Sequence, residues 1–206
     1  MKCPRVPTFT LKGIDAKIQL LQVSIAESLS WLEYSFGRSY PYSKDVNGTI
    51  ETYPVVFVDN TTDPQDMRPD DNCIAMAFWT VADPGRIEYD NQDIYSAVKS
   101  GRWEYDVSLI VWANLKRLDS SSYNETKSQI RQDIVDALQK QLIGVNVQFT
   151  PVEIFDQDVE QVYAGYDLSN PESVMKGKFV AFRVAGILTF KSECPVNSTY
   201  SVTNCT

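Results

Sequence analysis

The sequence predicts an α+β fold, a single mostly antiparallel β-sheet with two α-helices packed on it. Two apolar stripes at helical spacing lie between residues 14 and 36 and between 125 and 142. Short β-branched and aromatic runs, bounded by proline, glycine and asparagine, lie between and after them. The resulting order is helix, three strands, helix, two strands, with no repeat and no linker dividing it. With 206 residues and 43% apolar content, the chain has the material for one core. The expected organisation is therefore one α+β domain over 1–206, with an N-terminal arm over 1–12 and a C-terminal extension over 192–206.

The first helix is expected from Ile14 to Phe36, on the stripe Ile14, Ile18, Leu21, Ile25, Leu29, Leu32 and Phe36, with Gly37 and Pro41 as its stop. Arg38 to Gly48 is polar and predicted as a loop. Thr52 to Val58 is a β-rich run in which Pro54 argues for an edge or a strand start. Asp59 to Asn72 is predicted as a loop, Ile74 to Val81 as a strand closed by the turn signal Asp83-Pro84-Gly85, and the stretch through Tyr95 and Val98 as a link.

Trp103, Tyr105, Val107, Leu109 and Val111 alternate with Glu104, Asp106, Ser108, Ile110 and Trp112, so the longest strand is amphipathic at first and buried on both faces later. Ser122 to Glu125 has the form of a capping box, and Ile130, Ile134, Ala137, Leu138 and Leu142 give the second helix its apolar face up to Gly144. Val145 to Phe149 and Val152 to Phe155 are strand material interrupted by Pro151. Lys178 to Lys191 closes the sheet, with Gly186 marking a bulge.

Composition then excludes several chemistries. The chain has no histidine, which removes Ser-His-Asp triads, Cys-His pairs and histidine-held metals. It lacks the phosphate-cradling G-x-x-x-x-G-K-[ST] loop, the G-x-G-x-x-G fingerprint and the G-x-S-x-G elbow. Its 27 acids against 19 bases give a formal charge of -8, a poor basis for gripping a phosphate backbone. The aromatic residues have acidic or apolar neighbours, where single-strand stacking platforms need Lys and Arg. Met1 to Pro7 carries charge and two prolines but no apolar segment, and no stretch reaches the length of a membrane span, so a soluble cytosolic chain is expected. Cys3, Cys73, Cys194 and Cys205 are read as scattered thiols, with a Cys194–Cys205 bridge left open. The five Asn-x-Ser/Thr sequons, at Asn47, Asn60, Asn124, Asn197 and Asn204, are read as polar loop composition.

The charge is concentrated. Asp59, Asp63, Asp66, Asp70, Asp71, Asp83, Glu88, Asp90 and Asp93 face only Arg68 and Arg86 in sequence, so this segment holds -7 of the -8. Such a field repels nucleic acid, attracts a basic partner or keeps loops soluble. A carboxylate pair such as Asp70 and Asp71 could instead hold a divalent cation in a small cytosolic enzyme, although the spacing matches no calcium loop. No catalytic, metal or cofactor residue is assigned.

Ile14–Phe36 as first helix, Trp103–Leu115 as long strand, Glu125–Leu142 as second helix and Phe179–Phe190 as last strand form an order that resembles the tail-terminator and tail-completion proteins of tailed bacteriophages. In texture it is similar to neck or tail ring proteins of crAss-like phages of gut bacteria. The acidic stretch and the extension from Ser192 depart from the compact pattern. The resemblance implies a structural virion protein, not an enzyme and without cofactor, assembled in the bacterial cytoplasm into a homo-oligomeric ring of the neck or tail. Its partners would be copies of itself and adjacent portal, neck or tail proteins, with DNA passing through the channel without specific binding and no membrane involved. The nine acids become a candidate lumen or inter-ring surface. A metal-dependent enzyme and an adaptor that binds one partner without closing a ring are the alternatives.

Overall fold

The computed structural model describes residues 3–6, 10–46, 48–58, 64–89, 98–99, 101–118, 123–139, 146–156, 158–167, 178–191 and 196–197. In chain order the elements are β1 (Cys3–Arg5), α1 (Gly13–Ser28), β2 (Tyr34–Arg38), β3 (Tyr40–Val46), β4 (Thr49–Val56), β5 (Gln65–Asp66) and β6 (Ala75–Tyr89). They continue with β7 (Val98–Lys99), β8 (Gly101–Asn114), α2 (Leu115–Leu118), α3 (Tyr123–Gln139), β9 (Val147–Phe155), α4 (Val159–Val162), β10 (Phe179–Lys191) and β11 (Val196–Asn197). The α+β class is as expected. A six-stranded sheet runs β1-β2-β6-β8-β10-β9, parallel at β1–β2 and β2–β6 and antiparallel elsewhere. Smaller ladders, β3-β4-β5 and β11-β7, accompany it.

Strand alternation divides the core in two. Ala77, Trp79, Leu109, Val111, Phe182 and Val184 point to one face, where α1 supplies Ile18, Leu21 and Ile25 and α3 supplies Ile130 and Ile134. Met76, Phe78, Ile110, Trp112 and Ala181 point to the other, under Phe36, Val56, Met67, Val162 and Tyr163. Burying each of the Val, Leu, Ile, Phe and Met side chains among them is worth about 1.5–3 kcal/mol. Trp112 is also tied across the layers, its Nε1 donating to the Met67 carbonyl at 3.3 Å.

The first helix ends sooner than its stripe predicts. The N–H of Leu29 still donates to the Ile25 carbonyl at 3.0 Å, but the chain then turns, and Phe36 lies on β2 in the opposite core layer. Tertiary bonding decides this: Gln22 donates to the Ser35 carbonyl at 2.7 Å and the Ser35 hydroxyl donates back to the Gln22 carbonyl at 3.0 Å, fastening β2 antiparallel-fashion against α1. Trp31 caps the turn by donating from Nε1 to Asp133 Oδ2 of α3 at 2.8 Å.

Other predicted loops are strands. Arg38 to Gly48 contains the end of β2 and all of β3, and the predicted loop before Asn72 contains β5. Pro54 sits inside β4, directly opposite Pro41, with strands on both sides. That is tolerated because the Met67 N–H still donates to the Pro54 carbonyl at 3.0 Å, while the Met67 carbonyl, to which Pro54 has no N–H to give, accepts Trp112 Nε1–H instead. Asp83-Pro84-Gly85 does not reverse the chain. It is a bulge, since Ala82 pairs with Asp106 and Arg86 with Glu104, leaving Tyr105 alone opposite three residues. The link predicted through Tyr95 and Val98 to Ser100-Gly101 accordingly contains the end of β6 and all of β7.

Pro151 does not split β9 either. Pro151 pairs with Gly186 and Glu153 with Ala185, so Val152 is the extra residue of the bulge expected near Gly186. Asn124 and Asn197 lie in α3 and β11 rather than in loops. Ser122, Leu142, Gly144, Cys194, Cys205, Asn47, Asn60 and Asn204 lie outside the described residues, as does most of 192–206.

Candidate functional site

The structure separates the nine acids. Asp59, Asp63, Asp90 and Asp93 lie outside the described residues, and Asp83 is placed only by its backbone in the β6 bulge. Glu88 is exposed near the far end of β6. Asp66, Asp70 and Asp71 come together at the opposite end of the sheet, around a cavity of about 560 Å³ that Arg68, Cys73 and Lys178 also line.

There the carboxylates turn to bases and backbone. Arg68 donates from Nε to Asp66 Oδ2 at 2.9 Å and from Nη2 to the same oxygen at 2.7 Å, reaches Glu51 Oε2 at 3.3 Å, and lies 4.1 Å from the Tyr53 ring centroid. The Asp66 hydrogen bond holds this guanidinium above its ordinary pKa. Asp71 forms an ion pair with Lys178. Asp70 Oδ1 accepts the Asn72 backbone N–H at 2.9 Å and its side-chain amide at 3.1 Å. Burial, with Asp70 and Glu33 nearby, pushes the Cys73 thiol up, so it stays protonated at neutral pH. Among the described residues, no group of three or more Cys, Asp or Glu side chains converges as metal ligands do.

A larger feature occupies the face away from the long helices. The three-stranded ladder and α4 cover part of it, and beside them runs a groove of about 730 Å³. Its floor carries Thr80 of β6, Ser108 of β8 and Arg183 of β10, with Ser39 and Tyr166 where it adjoins the covered part. Ser39 donates to the Trp79 carbonyl at 3.0 Å, and its oxygen lies 3.1 Å from the Tyr166 hydroxyl. Burial raises the Tyr166 pKa, against the Ser39 hydrogen bond, so the phenol is neutral at physiological pH.

Arg183 is the one charged residue between Phe179 and Phe190 of β10. Its Nε donates to Ser108 Oγ at 3.1 Å and its Nη1 to the Gln161 carbonyl at 3.1 Å, with the guanidinium 5.3 Å from the Phe155 ring centroid. Desolvation lowers its pKa, and Glu153 and Tyr166 partly offset this. No family model and no curated protein matches this chain. The geometry alone therefore distinguishes two places, an acidic corner already neutralised by Arg68 and Lys178, and a groove whose guanidinium bonds neutral oxygens.

Sequence reasoning missed the groove. Ser39, Ser108 and Tyr166 carry no motif, and only the topology brings them together. A single arginine between Phe179 and Phe190 was the available signal, because a base in an otherwise apolar strand needs a structural or binding reason.

Proposed function

We propose that this chain is a structural virion protein whose copies close into a ring in the neck or tail of a tailed bacteriophage, joining the portal side to the tail around the DNA channel. The observation that carries the reading is the set of large apolar side chains on outlying elements. Ile50 is 67% exposed on the β3–β4 hairpin, and Val152 is 70% exposed on β9. Ile87, near the far end of β6, is exposed too. Surfaces on different elements are unlike one another, and contact between unlike patches of identical copies is head-to-tail, the arrangement that closes rings. The succession of α1, β8, α3 and β10 keeps the order on which the resemblance rests, although α1 is shorter than expected.

In such a ring the acids have a use that requires no chemistry. Carboxylates on a channel wall lower the residence of phosphate there, and carboxylates at the upper or lower rim meet basic patches of neighbouring rings. Glu88, Asp70 and Asp71 are exposed, and Asp71 already holds Lys178, so on such surfaces Glu88 and Asp70 would carry most of the repulsion. Among the described residues, no helix is long and apolar enough to cross a membrane. Light scattering combined with negative-stain imaging of the full chain tests the proposal: closed rings, or assembly that grows with concentration, are expected, and a monomer at every concentration overturns it. An assembled structure with all nine acids on the outer rim would remove the channel role while leaving the ring.

A further inference from the structure

We propose that the groove beside Arg183 is a docking site for an acidic peptide segment of a partner protein, with the guanidinium as a fork for one side-chain carboxylate. The inference does not depend on the ring, since it rests on one face of a single chain.

A half-buried guanidinium in an apolar strand has given up part of its hydration, and a carboxylate laid against its fork offsets that loss better than neutral acceptors do. The acceptors of Arg183 are a serine hydroxyl and a peptide carbonyl, both neutral, and no carboxylate of the described residues lies within 4.0 Å of it. Guanidinium has five N–H donors in a planar fork. Both Nη2 hydrogens and one on Nη1 therefore remain without a partner among the described residues. Phe155 stacks on the group and Ser108, itself buried, fixes Nε, so the fork is oriented before any ligand arrives.

The surrounding charges leave this position to an incoming anion. Arg38, also along the groove, is engaged by Asp15 at 3.4 Å, and Asp106 at the rim by Arg86 at 3.4 Å. Glu153 on β9 biases the field at Arg183 without reaching pairing distance. Closer in, Tyr166 and Thr80 offer neutral hydroxyls. A carboxylate matches the fork in plane and spacing, which is why such pairs are bidentate and strong.

The shape selects a chain segment over an enclosed small molecule. The floor is buried at Ser39, Ser108 and Gly186, while the rims are exposed at Pro41, Val152 and Ala164. A trough with open rims accepts an extended backbone that continues beyond it, and the exposed Val152 adds apolar contact for a small flanking side chain.

The test is an NMR titration of the full chain with the capped peptide acetyl-Ala-Ala-Asp-Ala-Ala-amide, following the Arg183 Nε–H signal and the backbone amides of Ser108 and Tyr166. The expected result is saturable movement of these signals, with at least about tenfold weaker binding of the isosteric Asn peptide, the difference that 1.4 kcal/mol makes. Arg183→Lys keeps the charge and loses the fork, and should weaken binding by a similar factor; Arg183→Gln should abolish it. Ser108→Ala, which leaves the arginine in place, controls for variants that fold poorly and should weaken binding only partially. The proposal is overturned if the Asp and Asn peptides bind alike, or if the shifts centre on Arg68 and Lys178. Acetate or inorganic phosphate binding as tightly as the peptide overturns it as well, because the groove would then be a small-anion site.

Discussion

Gly186 and Gly85 are positions where the backbone leaves no room for a side chain. A Cβ on Gly186 would collide with the Thr150 carbonyl oxygen and the Phe149 ring, and the carbonyl cannot move without disturbing β9. Gly186→Ala should therefore lower stability by about 1–3 kcal/mol in a denaturant melt. At Gly85 the obstacle is the Tyr105 ring, which is parallel to the Phe190 ring at 5.9 Å between centroids. That ring can swing at the cost of its stack, so Gly85→Ala should cost less than Gly186→Ala in the same experiment.

Tyr163 is a different case: it is 1% exposed and its hydroxyl has no partner among the described residues. Burial pushes its pKa well above the ordinary value near 10. In the folded state the phenol thus holds its proton at pH values where the unfolded chain releases it, so its contribution is intact below about pH 10 and falls as pH rises further. Tyr163→Phe is expected to be neutral or stabilising by up to about 1 kcal/mol at pH 7, since an unbonded buried hydroxyl is a cost. It should also flatten the alkaline loss of stability in melts from pH 9 to 11.

At the scale of elements, the bond from Trp31 to Asp133 joins the turn after α1 to the middle of α3. Asp133→Ala removes the acceptor of a part-buried N–H and should cost about 1–3 kcal/mol. Hydrogen exchange should show the loss as faster exchange in α3, with the β8 and β10 amides protected as before.

Element type was legible in the sequence where one force acted alone. The long strand β8 shows the expected change from one-sided to two-sided burial, and α3 presents Ile130, Ile134 and Ala137 to the core as its spacing predicts. Boundaries failed where a distant contact overrode local pattern. Leu29 and Leu32 are buried as the first stripe requires, but the reciprocal Gln22–Ser35 bonds turn the chain before Phe36, and nothing local announces them. The two bulges explain the turn expected at Asp83-Pro84-Gly85 and the break expected at Pro151. Turn residues in β6 and β9 fit a bulged ladder as well as they fit a turn, and only the partner strand decides which forms. In β9 the odd extra residue shifts the inward phase from Val147 and Phe149 to Ile154, which in the sequence looks like two strands. The groove was less legible still, because Ser39, Ser108, Tyr166 and Arg183 come from separate segments and meet only through the fold.

For the molecule as a whole, the proposed ring predicts that variants at outlying apolar positions act on assembly and not on folding. Ile50→Lys and Val152→Lys replace side chains that are mostly exposed in the single chain, so each should change thermal stability by no more than about 0.5 kcal/mol. Each should reduce the particle mass seen by light scattering if its surface joins copies. Loss of assembly together with loss of fold would instead mark the position as part of the core.

The irregularity in the middle of β9 bears on how copies of the chain could meet in the proposed ring. This strand is the outer member of the six-stranded sheet, and an outer strand is a template on which foreign chains can polymerise. Here Pro151 supplies no N–H, and Val152 throws the spacing of the remaining groups out of step. An incoming strand finds a regular row only over residues 147–150, too short a template for strong edge pairing, so growth into fibres is disfavoured at this margin. In the proposed ring, association of copies would then rest on side-chain surfaces, which stop when a set number of subunits has closed.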